Sequence, residues 1–280
     1  MLKNLFVHVP SERLIRAVVD GAVSLAATHA AHLDAVSIGY ERATVGLPFD
    51  GGAAVAAVFE LERERALVRA EAALAVFETE ARTAGISYGV KALADIPADA
   101  AAAIGASTRL YDLAIVLQPE PDRATFDNTI AQEILFQSGG PVLFIPYTHK
   151  GPFEPRRIGI AWDGSHVAAR ALRDAAPFLS RLSRTDAITI MCLNEEQVPA
   201  DATSAMLAAH LGRHGLTARI ERMSAGRSEI QPAILSIAAD TGLDLIVMGG
   251  YGHSRLQERV LGGVTRGMLQ SMTVPTLMSH

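Results

Sequence analysis

The sequence predicts an α/β protein made of two doubly wound domains in tandem, each built on a five-stranded parallel sheet. Short apolar runs alternate with longer helical patterns throughout, which is typical of a parallel sheet with helices on both faces. The runs AITIMCL and LDLIVM are apolar without alternation, as expected for strands buried on both faces. The order of elements occurs twice along 280 residues, a length that suits two domains.

The first half begins with a strand and keeps the alternation to its end. Its helices are predicted at 11–31, 53–84 and 97–108, and the second of these is rich in the strong helix formers Ala, Leu, Glu and Arg. The segment that starts QPEPDRATFDNTIAQ is predicted as a loop. Strands are predicted at 5–9, 33–39, 87–92, 112–117 and 142–145.

The second half repeats the pattern with clearer boundaries. Its strands are predicted at 157–162, 187–193, 218–223, 243–248 and 274–278. Its helices are predicted at 165–182, 200–214, 229–240 and 264–271.

The two halves also align in sequence near their ends. YDLAIVL at 111–117 matches LDLIVMG at 243–249, and GGPVLFIP at 139–146 matches MTVPTLMSH at 272–280. A tandem duplication is the simplest interpretation. The joint between the copies is predicted in YTHKGPFEPRR, whose prolines, glycine and charges are typical of a linker. The predicted domains are therefore 1–147 and 157–280.

Composition restricts the classes of partner. A net charge of −5 provides no basic surface for nucleic acid or for an anionic membrane. No apolar run approaches the length of a membrane span, and Glu12, Arg13 and Arg16 come too early for a secretory signal peptide. We therefore expect a cytoplasmic protein. The single cysteine, Cys192, excludes an internal disulfide framework and lies within an apolar strand, so it is interpreted as a small buried hydrophobic residue.

One segment, MGGYGHSRLQERVLGGVT at 248–265, carries the pattern of a ligand site. Its glycines follow the spacing Gly249, two residues, Gly252, nine residues, Gly262. Glycines after a parallel strand allow the backbone to approach a ligand closely, and the carboxyl ends of such strands are where α/β folds bind ligands. Gly262 and Gly263 precede a predicted helix, whose free N–H groups can receive phosphate oxygens.

This motif, together with the duplicated five-strand pattern, resembles the universal stress proteins in their tandem two-domain form. A second hallmark of that family is an acidic residue at the end of the first strand, followed by Gly-Ser and a helix. Here it reads Trp162-Asp163-Gly164-Ser165. The resemblance implies Rossmann-like domains of the adenine-nucleotide-binding kind, in a stress-response regulatory protein that binds ATP in its second domain with little or no hydrolysis. We expect Mg²⁺ to accompany the triphosphate, because the phosphate charge favours a divalent cation.

The resemblance also implies roles for individual residues. Asp163 would contact the adenosine end of the nucleotide, and the backbone of Leu193 would lie near the adenine. Met248 and Gly249 would line the nucleotide, while the glycines further along the motif and the residues after them would hold the phosphates. The complete predicted set is Asp163, Leu193, Met248, Gly249, Gly252, His253, Arg255, Gly262, Gly263, Val264 and Thr265.

The chain departs from the family pattern at one position of the motif. The motif usually continues with Ser or Thr after the last glycine, and this chain has Gly263 instead. One lost hydrogen bond to a charged group costs about 1.5–3 kcal/mol, which weakens ATP binding without abolishing it. Thr265 could supply the hydroxyl if the loop allows.

The first half departs much further from the family pattern. Pro10 stands where Asp163 stands in the second half, and the aligned loop contains Glu120 and Asp122 but no glycine. Phosphate binding is not expected there, so we interpret the first half as a degenerate domain of the same type.

Two other functions remain open at this stage. A protein–protein scaffold without nucleotide would account for Gly263 and for the degenerate first half. A carrier of another small ligand in the same cleft is the third hypothesis. Protein partners and a homodimer are also considered, with the apolar C-terminal strand VPTLM as a pairing edge for a second chain. An enzyme is not predicted, since no general base is evident for attack on a γ-phosphate.

Overall fold

The computed structural model describes residues 1–41, 52–183, 185–251 and 263–280 of the chain. The strands are β1 (Asn4–His8), β2 (His32–Tyr40), β3 (Tyr88–Asp95), β4 (Leu113–Leu117), β5 (Val142–Ile145), β6 (Arg157–Ala161), β7 (Ala187–Leu193), β8 (Ala218–Met223), β9 (Leu245–Gly249) and β10 (Thr276–Ser279). The helices are α1 (Arg16–His29), α2 (Gly52–Thr83), α3 (Pro97–Ser107), α4 (Asp127–Gln137), α5 (His166–Asp174), α6 (Ala176–Leu179), α7 (Ser204–Arg213), α8 (Ile230–Thr241) and α9 (Val264–Ser271).

The strands form a single ten-stranded sheet in the order β3-β2-β1-β4-β5-β10-β9-β6-β7-β8. Each half contributes five parallel strands wound in the same order, which confirms the α/β class and the duplicated pattern. The halves join through one antiparallel pair, β5 with β10, in which Leu143 lies opposite Leu277. These two leucines hold the same place in their respective halves, so the halves are related by an approximate twofold axis at this pair.

The C-terminal strand was predicted as a pairing edge for a second chain, and that prediction is wrong. β10 lies inside the sheet, between β9 and β5 of the same chain. The duplication itself explains the difference, because β10 of the second half pairs with its counterpart in the first half, β5. The outer strands of the sheet are β3 and β8.

The duplication is also visible in individual hydrogen bonds. Asp112, just before β4, accepts the backbone N–H groups of Lys3 and Asn4 on Oδ2, at 2.6 and 2.9 Å. Asp244, just before β9, accepts the backbone N–H groups of Arg156 and Arg157 on Oδ1, at 3.0 and 2.8 Å. The same carboxylate therefore anchors the start of the first strand in each half.

Helices cover both faces of the sheet and form one apolar core on each. The core on one face includes residues of α1, α2, α5, α6 and α7, and the core on the other includes residues of α3, α4, α8 and α9. Successive strand residues such as Ile115 and Val116 are fully buried in opposite cores. This explains why the strands are apolar without alternation.

The structure differs from the sequence prediction at two helices of the first half. α4 was predicted as a loop, because PEPDRATFD reads as a turn region; its helical pattern is confined to the short buried set Ile130, Ala131, Ile134 and Leu135. α1 begins at Arg16 rather than at residue 11, since the segment before it folds over the end of the sheet. In the second half, the helix predicted at 165–182 is divided into α5 and α6 near Pro177, which cannot donate a helical hydrogen bond.

In the part of the chain that the structure describes, no helix is both long enough and apolar enough to cross a bilayer.

Candidate functional site

A cleft of about 1000 Å³ opens at the carboxyl ends of the strands of the second half. It lies where parallel α/β sheets bind ligands. Three strands, the segment after β8 and the first turn of α9 contribute to its wall. Its described lining includes Trp162, Asp163, Gly164, Ser165, Leu193, Asn194, Ala225, Arg227, Ile230, Met248, Gly249, Gly263, Val264 and Thr265.

Most of the residues predicted from the sequence are brought together in this cleft. Those that line it are Asp163, Leu193, Met248, Gly249, Gly263, Val264 and Thr265. The others, Gly252, His253, Arg255 and Gly262, lie outside the described residues. The ligand-binding roles of all of them stay predictions.

Asp163 follows β6 and shapes the turn into α5. Its Oδ1 accepts the backbone N–H of Ser165 at 2.9 Å, and Gly164 between them adopts a positive φ of 71°. Ser165 is the N-cap of α5 and accepts the N–H of Ala168 on Oγ at 3.2 Å. Within the described residues, the other Asp163 oxygen, Oδ2, has no hydrogen-bond partner, so the exposed carboxylate can both shape the turn and accept a ligand hydroxyl.

Gly249 ends β9 where the start of α5 approaches the strand. A Cβ atom built on Gly249 would lie 2.6 Å from Val167 Cγ2 and 2.8 Å from the backbone N of Ala168. A side chain at this position would therefore displace α5. The glycine has a packing role that is independent of any ligand.

The first turn of α9 forms the opposite side of the cleft. Gly263 is the N-cap and provides no side-chain hydrogen bond to the helix, so the first backbone N–H groups of α9 lack a capping side chain. Thr265 accepts the backbone N–H of Tyr251 on Oγ1 at 3.1 Å. Since a hydroxyl has both donor and acceptor capacity, the Thr265 O–H can still donate to a ligand in place of the hydroxyl missing at Gly263.

Sequence reasoning missed several polar residues of the cleft, among them Asn194 and Arg227. Asn194 follows β7 in the left-handed conformation, at φ 64°, and exchanges two hydrogen bonds with the backbone of Ala225 at 2.8 and 2.9 Å. This pair fixes the segment after β8, from which Arg227 contributes a positive charge. The rule that ligands bind at strand ends, applied to β7 and β8 as well as to β9, would have identified both residues.

Cys192 lies immediately before the cleft-lining Leu193 and is fully buried. Burial, with a hydrogen bond to Glu195, raises the pKa of the Cys192 thiol to about 12. The thiol is therefore protonated at neutral pH, and the interpretation as a buried hydrophobic residue is confirmed. Across the described ranges, no cluster of three or more His, Cys, Asp or Glu side chains is arranged to hold a metal ion.

The model of the family described as the universal stress protein family matches residues 154–280, which include the whole cleft. The second half of the chain belongs to the universal stress protein family. A curated relative, universal stress protein MJ0577 of Methanocaldococcus jannaschii, is 40% identical over 45 residues. That stretch is 16% of this chain and spans only 28% of the relative.

Solved structures of universal stress proteins match the fold of both halves. One from Archaeoglobus fulgidus DSM 4304 aligns over 98% of this chain and 95% of its own, with a TM-score of 0.71 and 16% identity. A putative universal stress protein from Pseudomonas aeruginosa UCBPP-PA14 aligns over 99% and 93%, with a TM-score of 0.61 and 15% identity. At these identities the likeness shows the fold.

The position equivalent to the universal stress protein cleft is filled in the first half by the chain's own side chains. Arg13 is buried there and donates from Nη1 to the backbone oxygen of Gln118 at 2.8 Å. Its Nη2 lies 3.5 Å from Glu120 Oε2. Tyr40 donates its hydroxyl to Asp127 Oδ1 at 2.8 Å. We call the buried residues His8, Arg13, Tyr40 and Asp127 the first-half polar cluster.

Burial controls the protonation of the polar cluster. Desolvation, reinforced by the positive charge of Arg13, lowers the pKa of His8 to about 3, so its imidazole is neutral. Desolvation raises the pKa of Asp127, although the hydrogen bond from Tyr40 opposes the shift. Burial and the neighbouring Asp127 raise the pKa of Tyr40. The cleft of the second half differs from this cluster in its exposure to solvent. Among the described residues that line the cleft, the charged ones, Asp163 and Arg227, are exposed.

Proposed function

We propose that the universal stress protein domain binds ATP in this cleft, with little or no hydrolysis, as the sensing part of a stress-response regulatory protein. The observation that carries the proposal is that one cleft combines the exposed carboxylate of Asp163 with the uncapped first turn of α9. The carboxylate suits the hydroxyl groups of a sugar ring, and the free N–H groups of the helix start suit an anionic group.

The remaining lining supports the same ligand class. Apolar side chains such as Leu193, Ile230 and Met248 suit the flat face of an adenine. The Thr265 hydroxyl, the first N–H groups of α9 and the positive charge of Arg227 suit phosphate oxygens. A divalent cation would enter with the triphosphate, because the phosphate charge favours it.

The acid–base groups of the described lining support the proposal of slow hydrolysis. Asp163 is the single carboxylate, and no histidine occurs, among the described residues that line the cleft. Since Asp163 is proposed to hold the adenosine end, no described group is left to activate water at a phosphate. Binding itself would then be the signal. The cytoplasmic location, the protein partners and a homodimer stay predictions.

The test uses Trp162, the single tryptophan of the chain, which lines the cleft and reports on its occupancy. We expect a saturable fluorescence change and a calorimetric response on titration with Mg-ATP. Asp163→Asn keeps an oxygen for the Ser165 N–H and removes the charge, so the fold should persist while affinity falls about tenfold or more. Asp122→Ala, which removes an exposed carboxylate from the first half, is the matched control and should leave affinity unchanged.

Two results would favour the other hypotheses. Absence of any response to millimolar Mg-ATP would contradict the proposal and favour the scaffold. Release of a different small molecule on denaturation, identified by mass spectrometry, would favour the carrier.

A further inference from the structure

The strand exit that leads into the glycine motif lies against a helix of the first half. Gly250 donates its backbone N–H to Ser279 at 2.8 Å, and a Cβ built on it would lie 3.3 Å from Leu135 Cδ2 on α4. The ring of Tyr251 is tilted on the ring of Phe136, also on α4, with centroids 4.6 Å apart. The residue directly before Gly252 is thus packed on the other half of the molecule.

Tyr251 adopts a backbone conformation that needs support. Its φ of 52° is left-handed, which is unfavourable for a residue with a side chain. Thr265 holds it from the cleft side through the Tyr251 N–H, and Phe136 holds its ring from the first half. An aromatic pair stabilises by an amount comparable with the cost of one left-handed residue. The contact with the Phe136 ring therefore contributes enough stabilisation to determine whether Tyr251 keeps this conformation.

The C-terminal residue extends the same contact. His280 lies edge-on to Phe136, with ring centroids 5.2 Å apart, and its Nδ1 is 3.2 Å from the backbone oxygen of Gly250. Phe136 is thus in contact with residues on both sides of the strand exit.

A reciprocal contact holds the other end of α9. Gln118, which follows β4 as Gly250 follows β9, is buried and donates Nε2 to the backbone oxygen of Leu269 at 3.1 Å. Leu269 lies in the last turn of α9, where carbonyl groups lack helical partners. Both ends of the helix that borders the cleft are therefore connected to the first half, through Tyr251 and Thr265 at one end and through Gln118 at the other.

We propose that the first half serves to position the ligand site of the second, with Phe136 as the positioning residue acting through Tyr251 and Thr265. The proposal rests on the proposed function, because it concerns the affinity of that cleft. It gives the degenerate half a role in binding without a ligand of its own. By linkage, a ligand that contacts Thr265 would also stabilise the packing of Tyr251 on Phe136.

The test is a double-mutant cycle on the full chain, with the Kd for Mg-ATP as readout. Phe136→Leu retains an apolar side chain and removes the ring, so we expect Kd to rise about two- to tenfold. Tyr251→Gly removes both the ring and the backbone cost of the positive φ. In that background, Phe136→Leu should change Kd much less than it does in the wild type, because the contact with the Tyr251 ring is already gone. A merely structural role for Phe136 would give the same change in both backgrounds.

The matched control is Phe126→Leu, at the other end of the same helix. Phe126 packs on Tyr40, with centroids 5.4 Å apart, within the first half. We expect its Kd to equal that of the wild type. An unchanged Kd in Phe136→Leu, or the same change in both backgrounds, would overturn the positioning role alone. No binding of Mg-ATP by the wild type would overturn the proposed function and this inference with it.

Discussion

The two halves of the molecule share a fold but use the ends of their strands in opposite ways. In the second half, the ends of β6, β7 and β9 border a cleft of about 1000 Å³ whose charged described residues are exposed. In the first half, the equivalent ends are covered by the first-half polar cluster, in which Arg13 and Asp127 are buried and hydrogen-bonded. Polar groups at the strand ends are thus buried within the protein in the first half and are accessible to a ligand in the second half.

A small change in chain path produces this difference. α5 begins at His166, which aligns with Arg13, whereas α1 begins only at Arg16. The segment before α1 can therefore fold over the sheet, where Ser11 donates its hydroxyl to the backbone of Ile38. Leu117 stands in the first half where the second half has Gly249, and its side chain is buried. The comparison teaches that two domains of one fold can differ at the ends of their strands through helix onset and individual residues alone.

The largest expected effect is on the polar cluster. Arg13→Ala removes a buried guanidinium that donates to the Gln118 backbone and lies 3.5 Å from Glu120. Losing this hydrogen bond together with the positive charge near buried Asp127 costs about 3 kcal/mol. The measurement is the urea dependence of circular dichroism. Arg16→Ala removes a guanidinium whose ion pairs with Asp20 and Glu80 are exposed, and we expect a much smaller loss. Equal losses for the two variants would contradict a structural role specific to the first-half polar cluster.

Gly249→Ala should reveal how closely α5 approaches β9. Because its Cβ would meet Val167 and the backbone of Ala168, α5 must shift, and we expect a loss of about 1–3 kcal/mol in the free energy of unfolding. Gly212→Ala is the control, since a Cβ there meets no atom within 4 Å, and alanine favours the helix. The control should be neutral or stabilising in the same urea titration. A neutral Gly249→Ala would show that the strand end has more room than the structure gives it.

His8 makes the stability of the first half dependent on pH. Its folded pKa of about 3 lies below the ordinary value of 6.5. Between these values the unfolded chain binds a proton that the folded chain does not, so stability is full above pH 6.5 and falls as the pH decreases towards 3. At pH 5 the loss from this group is about 2 kcal/mol. Urea titrations at pH 8 and pH 5 should show a smaller difference for His8→Gln than for the wild type, and identical differences would exclude His8 as the cause.

The sequence was most informative where local pattern and tertiary context agree. β5, β7, β8 and α9 have the predicted bounds, because apolar runs or a helical pattern end at clear breaks. α4 was missed because its helical signal is short and follows a turn-like segment. The antiparallel joining of β5 to β10 depends on contacts between distant residues, which no local pattern contains.

The candidate site was predictable in part for the same reason. Gly249 and Thr265 lie in the glycine motif, whose spacing carries the signal, and Asp163 lies in the second hallmark, Trp162-Asp163-Gly164-Ser165. Asn194 and Arg227 come from separate strand ends and meet the motif only in the folded chain. The filling of the first-half site by Arg13 was also not predictable, because it depends on where α1 begins.

The central claim is that only the second half binds a nucleotide. Native mass spectrometry of the full chain with Mg-ATP tests it most directly, with Asp163→Asn measured beside the wild type. The account predicts one bound ATP per wild-type chain and a strongly reduced bound fraction for the variant at the same ATP concentration. Two bound ATP molecules per chain, none, or one that persists equally in the variant would contradict it.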